Sequence, residues 1–386
     1  MERFKNKRVH LIGIQGVSMG PLAKVLADKY GAVVTGSDKT TTGENSENVH
    51  GADYVIRTAA AHDDNPEVAE AKRLGIPVLE RAEVWGMIMR EYPDTICIAG
   101  THGKSTTTAM TAQIFIEARL DPSVMVGATF PLIGGNHRLG DSGYFIAESD
   151  EYSNSFRFFT PRVAVILNIE YDHPDFYADF HAYESAFGRF AASAETVIDS
   201  FDAAAVADFD LKVPGAHNRK NAAAAAAVAR FYGIDDAVIR RALEAFTGVQ
   251  RRFEYKGELN GARFYDDYAH HPTELAAALT AAKELPHTRV IAAFQPHTYT
   301  RTKALLGDFA DALKLADTAL LTEIYAARED DVYGVSSRDL AALVPGSEYC
   351  ATLTETAAKL RELAKPGDIV LSIGAGDVTQ LWGLCQ

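Results

Sequence analysis

A glycine-containing loop between a strand pattern and a long helix pattern constrains this chain more than any other feature. The segment DTICIAGTHGKSTTTAMTAQIFIEARL reads as an apolar strand, the loop at 100–105 and a helix. Backbone N–H groups at a helix N-terminus bind phosphate, because they lack partners within the helix and carry its positive partial charge. The segment therefore predicts a phosphate-binding turn within an α/β fold.

The loop departs in length from the usual phosphate loop, which has four residues between its glycines. The residues expected to contact a nucleotide are Gly100, Thr101, His102, Gly103, Lys104, Ser105 and Thr106. Lys104 can reach the outer phosphates, and Ser105 or Thr106 can hold a magnesium ion. A chance Gly-Lys-Ser before a helix is the alternative, and the apolar strand before the loop argues against it.

Alternation of strand and helix patterns continues on both sides of this loop. A chain of 386 residues exceeds what one hydrophobic core usually supports. The patterns predict an α/β protein of three domains, with boundaries at 1–93, 94–247 and 248–386. The third domain is expected to open with a β-hairpin that turns at Asn260-Gly261.

Charge and cysteine usage narrow the partners and the compartment. The net charge of -14 argues against nucleic-acid binding, which needs clustered Lys and Arg. The three cysteines have no metal-type spacing, which fits a reducing cytoplasm. No apolar run is long enough for membrane insertion, and the start lacks a secretory signal, so a cytoplasmic protein is expected. A monomer or homodimer is expected, and the sequence does not choose between them.

Two strand ends supply candidate metal ligands. Glu148 closes the strand YFIAE, and His173 follows the strand VAVILNIE. The carboxyl ends of parallel strands meet at one sheet edge, where the phosphate loop also lies. A carboxylate and a neutral imidazole suit Mg²⁺, with Mn²⁺ as an alternative, although a lone Glu or His at a strand end is more often only solvated.

Polar residues at element ends mark further candidate contacts. They are Asn218 and Asn221 (HNRKN), Arg252 (RRFE), Asp267 and His270 (DDYAHH), and His297 and Arg301 (FQPHTYTRT). The asparagines can orient a base, although His217 and Asn218 are equally suited to cap the helix that they open. Arg301 is a suitable clamp for a substrate carboxylate.

The first strand-to-helix turn, GIQGVSM, offers a second anion site. Gly13, Gly16 and Met19 mark this turn, which lacks the third glycine of a dinucleotide fingerprint and so argues against a dehydrogenase. Such a turn can still bind a diphosphate. Ser37 and Asp38, which end the next strand, are expected to contact a ribose or a sugar.

Taken together, the motifs resemble the Mur ligases of peptidoglycan synthesis. The resemblance covers nearly the whole chain and follows the family order, in GTHGKSTTTAM, IAESDE, NIEYDH, PGAHNRKNA, RRFE, DDYAHHPTE, FQPHTYTRT, IYAARE and GAGDV. It implies a Rossmann-like domain for a UDP-sugar, a central P-loop-type ATPase domain and a C-terminal Rossmann-like domain for an amino acid. Within the family it is strongest to the branch that uses ATP to join L-alanine to the carboxylate of UDP-N-acetylmuramate.

The resemblance also implies roles for individual residues. The implied catalytic residues are Lys104, His173, Arg252 and Arg301, and the implied magnesium ligands are Ser105, Glu148 and His173. Asn218 and Asn221 would contact the adenine, and Arg252 and Asp267 would contact the rest of the nucleotide. The implied substrate contacts are His270, His297 and Arg301. The substrate carboxylate attacks the γ-phosphate of ATP, and the acyl phosphate then accepts the amine of the amino acid. Domain closure over the acyl phosphate would protect it from water.

Three departures from the family pattern leave other readings open. Between His173 and His217 the family usually has about twice as many residues. Gln15 and Ser18 stand where the family has glycines, and their side chains are expected to crowd a diphosphate. Tyr152 follows the acidic motif in place of the usual serine. A ligase for another amino acid, peptide or carboxylate, or a sensor without turnover, is the alternative function.

Overall fold

Three mainly parallel β-sheets flanked by helices make up the chain, which confirms the α/β class. The computed structural model describes residues 2–327 and 329–386, so Arg328 of the IYAARE motif lies outside the described residues. The chain divides into two compact units. One unit comprises Met1–Glu170, Phe180–Ser200 and Ala227–Ile234, and the other comprises Tyr171–Asp179, Phe201–Ala226 and Asp235–Gln386.

The first sheet belongs to the first unit and is entirely parallel. Its strands are β1 (Arg8–Ile12), β2 (Val33–Ser37), β3 (Tyr54–Arg57) and β4 (Val78–Glu80), in the spatial order β2-β1-β3-β4. The helices are α1 (Met19–Asp28), α2 (Pro66–Arg73) and α3 (Arg81–Met89). Since helices join parallel strands, the carboxyl ends of all four strands face one edge, where the loop of GIQGVSM lies.

The second sheet also lies in the first unit and carries the phosphate loop. Its strands are β5 (Asp94–Ala99), β6 (Ser123–Phe130), β7 (Gly135–Arg138), β8 (Tyr144–Glu148), β9 (Val163–Ile166) and β10 (Thr196–Ile198), in the order β10-β9-β5-β8-β6-β7. Only β7 runs antiparallel to its neighbour. The helices that follow in the chain are α4 (Lys104–Glu117), α5 (Phe180–Ala192), α6 (Ala216–Phe231) and α7 (Asp236–Ala245). Helix α4 is buried almost throughout, as the apolar pattern after the loop predicts.

Helix α3 packs closely against the segment that follows β8. A Cβ at Gly86 would lie 2.2 Å from the carbonyl oxygen of Phe158, so only glycine fits at this contact. Gly188, in α5, has no neighbouring atom within 4 Å of its missing Cβ. Gly86 and Gly188 therefore differ in whether the fold leaves room for a side chain.

The third sheet forms the framework of the second unit. Its strands are β11 (Glu254–Leu259), β12 (Ala262–Asp267), β13 (Val290–Phe294), β14 (Thr318–Thr322), β15 (Glu348–Cys350) and β16 (Ile369–Ile373), in the order β11-β12-β16-β13-β14-β15. The helices are α8 (Pro272–Glu284), α9 (Tyr299–Ala304), α10 (Leu306–Leu313), α11 (Ser337–Leu343), α12 (Leu353–Leu363) and α13 (Leu381–Cys385).

Alternate residues of the central strand β13 face two separate cores. Val290, Ala292 and Phe294 belong to one cluster of buried side chains, and Ile291 and Ala293 belong to another. This follows from the period of two in a strand, with helices covering both faces of the sheet.

The hairpin predicted in the third domain is confirmed. Strands β11 and β12 pair antiparallel, with Leu259 opposite Ala262. Asn260 and Gly261 have positive φ angles of 52° and 80°, which are the angles that a two-residue turn of this kind requires.

The three cysteines lie in strands or helices and are unpaired. Cys97, Cys350 and Cys385 are all buried and form no disulfide. Burial raises the pKa of the Cys97 thiol to about 12 and that of Cys385 to about 11. In the part of the chain that the structure describes, no helix is both long enough and apolar enough to cross a membrane.

Candidate active site

The phosphate loop joins the end of β5 to the start of α4. Gly100 and Gly103 have φ angles of 146° and 83°, which glycine adopts without the steric cost that other residues incur. A Cβ on Gly100 would lie 2.9 Å from the Cβ of Leu167. The backbone path therefore requires both glycines and leaves the N-terminus of α4 at the loop, as the sequence predicts.

Asn168, just beyond β9, holds the middle of the loop. Its Oδ1 accepts from the N–H of His102 at 2.9 Å, and its Nδ2 donates to the carbonyl of His102 at 3.0 Å. The backbone N–H of Thr101 donates to the carbonyl of Asn168 at 3.1 Å. Three hydrogen bonds thus fix the short loop, and the side chain of His102 lies 3.1 Å from Oε2 of Glu170.

Lys104 lies back over its own loop and pairs with a buried carboxylate. Its Nζ donates to the carbonyl of Gly100 at 2.7 Å and to that of Thr101 at 3.1 Å, and it lies 2.9 Å from Oε2 of Glu151. The Glu151 side chain is 1% exposed. Burial lowers the pKa of Lys104, but the charges of Glu151, Asp150 and Glu148 outweigh burial and raise it overall. Lys104 is therefore a fixed cation at the helix start.

Two of the three predicted metal ligands lie together. The hydroxyl of Ser105 donates to Oε1 of Glu148 at 3.0 Å, and the other oxygen of Glu148 accepts from the N–H of Gly127. A hydroxyl and a carboxylate are the hard oxygen donors that Mg²⁺ prefers, so these residues fit the ion. Thr106 is buried behind them in α4.

His173, the third predicted metal ligand, belongs to the second unit. Its φ angle is 57°, an uncommon left-handed conformation for a residue other than glycine. Its Nε2 lies 3.7 Å from Oδ2 of Asp172. A neighbouring carboxylate of this kind often orients a metal-binding imidazole.

The residues predicted to bind the sugar nucleotide, in and near the loop after β1, differ in how accessible they are. Gly13 has a φ angle of 79°, and its N–H donates to the carbonyl of Ser37 at 2.8 Å. The hydroxyl of Ser37 is buried and donates to Glu67 at 2.5 Å, whereas Asp38 remains partly exposed and accepts from the N–H of Gln15 at 3.3 Å. Of the pair at the end of β2, only Asp38 offers an accessible side chain.

The neighbours in this loop also differ in exposure. Gly16 is exposed, and its N–H donates to the carbonyl of Gly13 at 3.0 Å. Met19 is 1% exposed and starts α1, so its side chain packs in the interior. Of the three predicted residues in this loop, Gly13 and Gly16 are thus accessible and Met19 is not.

In the second unit, Arg301 is held by a carboxylate. Its Nε and Nη2 donate to Oδ1 of Asp172 at 3.0 and 2.9 Å, and its Nη1 donates to the carbonyl of His297 at 3.3 Å. Both charged side chains are buried. Burial alone would raise the pKa of Asp172, but the charge of Arg301 holds it well below its usual range. Asp172 is therefore the carboxylate that partners Arg301 in this structure.

His270 and His297 lie beside this ion pair. Their ring centroids are 5.9 Å apart. Burial lowers the pKa of His270 to about 4, with Arg301 acting in the same direction and Glu274 opposing it. His270 is therefore neutral near pH 7 and able to accept or donate a hydrogen bond.

Asp267 ends β12 and accepts two backbone hydrogen bonds. The N–H of Phe253 donates at 2.8 Å and that of Ala269 at 2.7 Å. Burial raises the pKa of Asp267 to about 6, although Arg252 opposes this change. Arg252 lies 3.6 Å from Glu274 and over the ring of Tyr268. The positive charge of Arg252 thus acts on the carboxyl group of Asp267.

The asparagines at the start of α6 form a short chain of hydrogen bonds. Asn218 donates from Nδ2 to the carbonyl of Pro214 at 2.7 Å, and Asn221 donates to Oδ1 of Asn218 at 3.3 Å. Both are largely buried. Asn218 therefore fixes the entry to the helix, while the carbonyl oxygen of the Asn221 amide is left for another donor.

Glu151 and Asp172 were not predicted from the sequence as residues of the site. Glu151 lies three residues after Glu148 in the segment ESDE, and Asp172 directly precedes His173 in the segment YDH. An acidic residue at such a position, next to a required cation, is the signal that would have identified both.

Family comparisons agree along most of the chain. Residues 8–93 match the description "Mur ligase family, catalytic domain", residues 98–199 match "Mur ligase middle domain", and residues 251–376 match "Mur ligase, glutamate ligase domain".

Individual relatives extend this likeness to nearly full length. The UDP-N-acetylmuramate--L-alanine ligase of Agathobacter rectalis is 40% identical over 442 residues, covering 97% of this chain and 96% of the relative. That of Caldanaerobacter subterraneus is 39% identical over 449 residues, covering 99% and 97%. The crystal structure of UDP-N-acetylmuramate-alanine ligase from Thermotoga maritima has a TM-score of 0.81 and 26% identity, covering 98% of both chains.

The aligned lengths bear on the expected deletion. An alignment of 442 residues is longer than the 386 residues of this chain, so the relative carries residues that have no counterpart here.

Proposed function

Because this chain belongs to the Mur ligase family, we propose that it joins L-alanine to the carboxylate of UDP-N-acetylmuramate with the cleavage of ATP. The protein is thus an ATP-dependent acid–amino-acid ligase of peptidoglycan precursor synthesis. The near-full-length identity of 40% to a relative of this name is the observation that carries the assignment. Dependence on ATP is also the argument for the cytoplasm as its compartment.

The first chemical step falls to the phosphate loop. The muramate carboxylate attacks the γ-phosphorus of ATP, and ADP leaves. Lys104 binds the transferred phosphoryl group and offsets the charge that grows on it, which its raised pKa permits because the cation persists at neutral pH. N–H groups at the start of α4 add their partial charge. The phosphates of ATP would replace Glu151 as the partner of Lys104, because the phosphates and the Glu151 carboxylate would contact the same Nζ.

Ser105, Glu148 and His173 are the residues that we assign to a magnesium ion, with manganese as a substitute. The 3.0 Å contact between Ser105 and Glu148 supports two of the three. When bound, the ion would neutralise charge on the phosphates. Asn218, Asn221, Arg252 and Asp267 are assigned to the nucleotide.

The second chemical step belongs to the amino acid. The alanine amine attacks the acyl phosphate, and the tetrahedral intermediate collapses with loss of phosphate. We assign the alanine carboxylate to Arg301, which already holds a carboxylate oxygen of Asp172 at 2.9 Å. His270 and His297 flank this position, and neutral His270 is suited to hydrogen bonding with the substrate.

Phosphate release in a substrate matrix tests the proposal. The purified protein is incubated with ATP and Mg²⁺, with or without UDP-N-acetylmuramate, across twenty amino acids. Release that requires both the UDP-sugar and L-alanine is the expected result. Release with a different amino acid would instead identify a ligase of other specificity, and release with neither would argue against ligation.

Oxygen labelling tests the acyl phosphate separately. UDP-N-acetylmuramate labelled with ¹⁸O in its carboxylate should transfer one labelled oxygen to each phosphate released, because that oxygen bridges carbon and phosphorus in the intermediate. Unlabelled phosphate formed together with the amide would exclude an acyl phosphate.

A further inference from the structure

The loop after β1 combines exposed backbone with one side chain that turns inward. Gln15, Gly16 and Val17 are exposed, and Val17 is 62% accessible. Ser18 is partly buried. The side chain of Gln15 is drawn aside, since its Nε2 donates to the hydroxyl of Thr41 at 3.1 Å. The side chain of Gln15 is thus held by Thr41 in this structure.

Ser18 turns toward the start of α3. Its hydroxyl accepts a hydrogen bond from Nη1 of Arg81, the first residue of that helix. Its carbonyl accepts from Nε1 of Trp85 at 3.4 Å, one helical turn further on. Both contacts join the loop to α3 across 63 or more residues of sequence. A glycine at this position, as in the family pattern, has no hydroxyl to offer Arg81.

The described residues provide few partners for the positive charge of Arg81. Among residues 2–327 and 329–386 it forms no ion pair, and Ser18 is its one hydrogen-bond acceptor. Burial lowers the pKa of Arg81, and the charge of Asp150 only partly offsets this. Removing a guanidinium from water is costly unless an anion or several acceptors replace the water.

Arg73, on α2 in the same sheet layer, shows the contrast. Its Nε and Nη2 donate to the two oxygens of Glu70, each at 2.7 Å. Its side chain is 67% exposed. Arg73 is therefore ion-paired and well exposed, whereas Arg81 is partly buried and has only the hydroxyl of Ser18 as a partner among the residues that the structure describes.

The backbone beside Ser18 offers donors to the same region. The N–H groups of Val17 and Ser18 make no hydrogen bond with any residue that the structure describes. The carbonyl of Val17 is occupied, because Nδ2 of Asn136 donates to it. Helix α1 begins at the next residue, Met19, and contributes positive partial charge. Backbone donors, a helix start and a guanidinium thus converge on one short segment.

We propose that Arg81, oriented by the hydroxyl of Ser18, binds the diphosphate of the UDP-sugar substrate. A guanidinium offers paired N–H donors that match two phosphate oxygens. The diphosphate would supply the anionic partner that no described residue provides for Arg81. Ser18 is a positioning residue that acts through Arg81. The inference rests on the proposed function, since it assigns residues to the UDP-sugar of that reaction.

Calorimetric titration of variants tests this assignment. Arg81→Met, Ser18→Ala and the double variant are titrated with UDP-N-acetylmuramate, UDP and ATP, with Arg73→Met as the matched control. Arg81→Met should weaken UDP and UDP-N-acetylmuramate by about 10-fold or more, and ATP by less than about twofold. Arg73→Met should bind all three ligands as the wild type does.

The double variant separates positioning from independent binding. If Ser18 acts through Arg81, adding Ser18→Ala to Arg81→Met should change the affinity for UDP by less than about twofold, although Ser18→Ala alone weakens it by about threefold. Additive losses would overturn the positioning role. Arg81→Lys, which retains the charge, should keep more affinity than Arg81→Met and serves if the methionine variant does not fold.

The outcomes separate this inference from the proposed function. Wild-type protein that binds UDP-N-acetylmuramate, with an Arg81→Met variant that binds it equally well, overturns the inference and leaves the ligase assignment standing. Wild-type protein that binds ATP but neither UDP nor UDP-N-acetylmuramate overturns both.

Discussion

Lys104 and Glu151 form a pair in which each side chain limits the freedom of the other. The structure differs here from what a solvent-facing helix start would suggest, because the Lys104 side chain is only 14% exposed. The sequence identifies Lys104 from its place after two glycines. It does not reveal that Glu151, 47 residues later, is buried against it.

Replacing Lys104 should therefore affect both turnover and stability. Lys104→Met should lower the rate of phosphate release by about 100-fold or more. It should also destabilise the protein by about 3 kcal/mol, because a buried carboxylate loses its partner. Adding Glu151→Gln should restore most of the stability but none of the activity. Phosphate release and urea unfolding measure the two effects, and equal instability of the single and double variants would contradict the pairing.

Asp267 should make stability depend on pH in a defined window. Its folded-state pKa of about 6 lies above the ordinary value of 3.8, so its stabilising contribution is complete below about pH 4 and is lost as the pH rises through 6. Relative to Asp267→Asn, the wild type should lose about 3 kcal/mol between pH 4 and pH 7. Urea unfolding at each pH gives the difference, and parallel curves for the two proteins would exclude the shift.

For Arg301, the sequence predicts the kind of partner but not which residue it is. Its type and its position after a strand end indicate a carboxylate clamp, and the structure gives it a carboxylate partner. That partner, Asp172, lies 129 residues earlier in the chain. A pairing over such a distance is set by tertiary packing and has no local sequence pattern.

At the scale of elements, long periodic segments were predicted well and short edge segments were not. The phosphate loop, α4 and the hairpin of β11 and β12 follow from apolar periodicity and turn chemistry. Strands β6, β7, β10 and β15 were not predicted, although β6 (SVMVGATF) begins with an apolar run. Strand β7 reads GNHR and has no apolar alternation, and β10 spans three residues, so neither carries a pattern that could be recognised.

Gly86 and Gly188 give a matched test of helix packing. Gly86→Ala should destabilise the protein by about 2 kcal/mol, since its Cβ would lie 2.2 Å from the carbonyl oxygen of Phe158. Gly188→Ala, with no atom within 4 Å, should instead stabilise it by about 0.5–1 kcal/mol through its higher helix propensity. Urea unfolding of both variants gives the signs. Two changes of the same sign would contradict the packing of α3.

At the scale of the whole molecule, three sheets were expected and three are present. The domain boundaries after 93 and 247 stay predictions. A relative aligns over more residues than this chain has, whereas the position of the missing residues between His173 and His217 stays a prediction. Composition and motif order predicted the class of fold, whereas the path of the chain through its two units depends on packing that no motif encodes.

The net charge of -14 should affect how anionic substrates arrive. At about 0.01 M salt the screening length is about 30 Å, so the whole protein repels a UDP-sugar, whereas at 0.15 M it is about 8 Å and only local cations act. The association rate for UDP-N-acetylmuramate should therefore rise between these salt concentrations, as measured by stopped-flow fluorescence. A rate that falls with salt would show that local cations dominate even at long range.

The burial of Cys97, Cys350 and Cys385 makes the folded protein a convenient host for site-specific fluorescent dyes. Thiolates react with maleimides, and burial raises the pKa of all three thiols, so the native cysteines should label slowly. A cysteine introduced on the surface of each unit would carry the dye without removal of any of the three native cysteines. Energy transfer between two such dyes would then report distance changes during turnover in the otherwise unaltered chain.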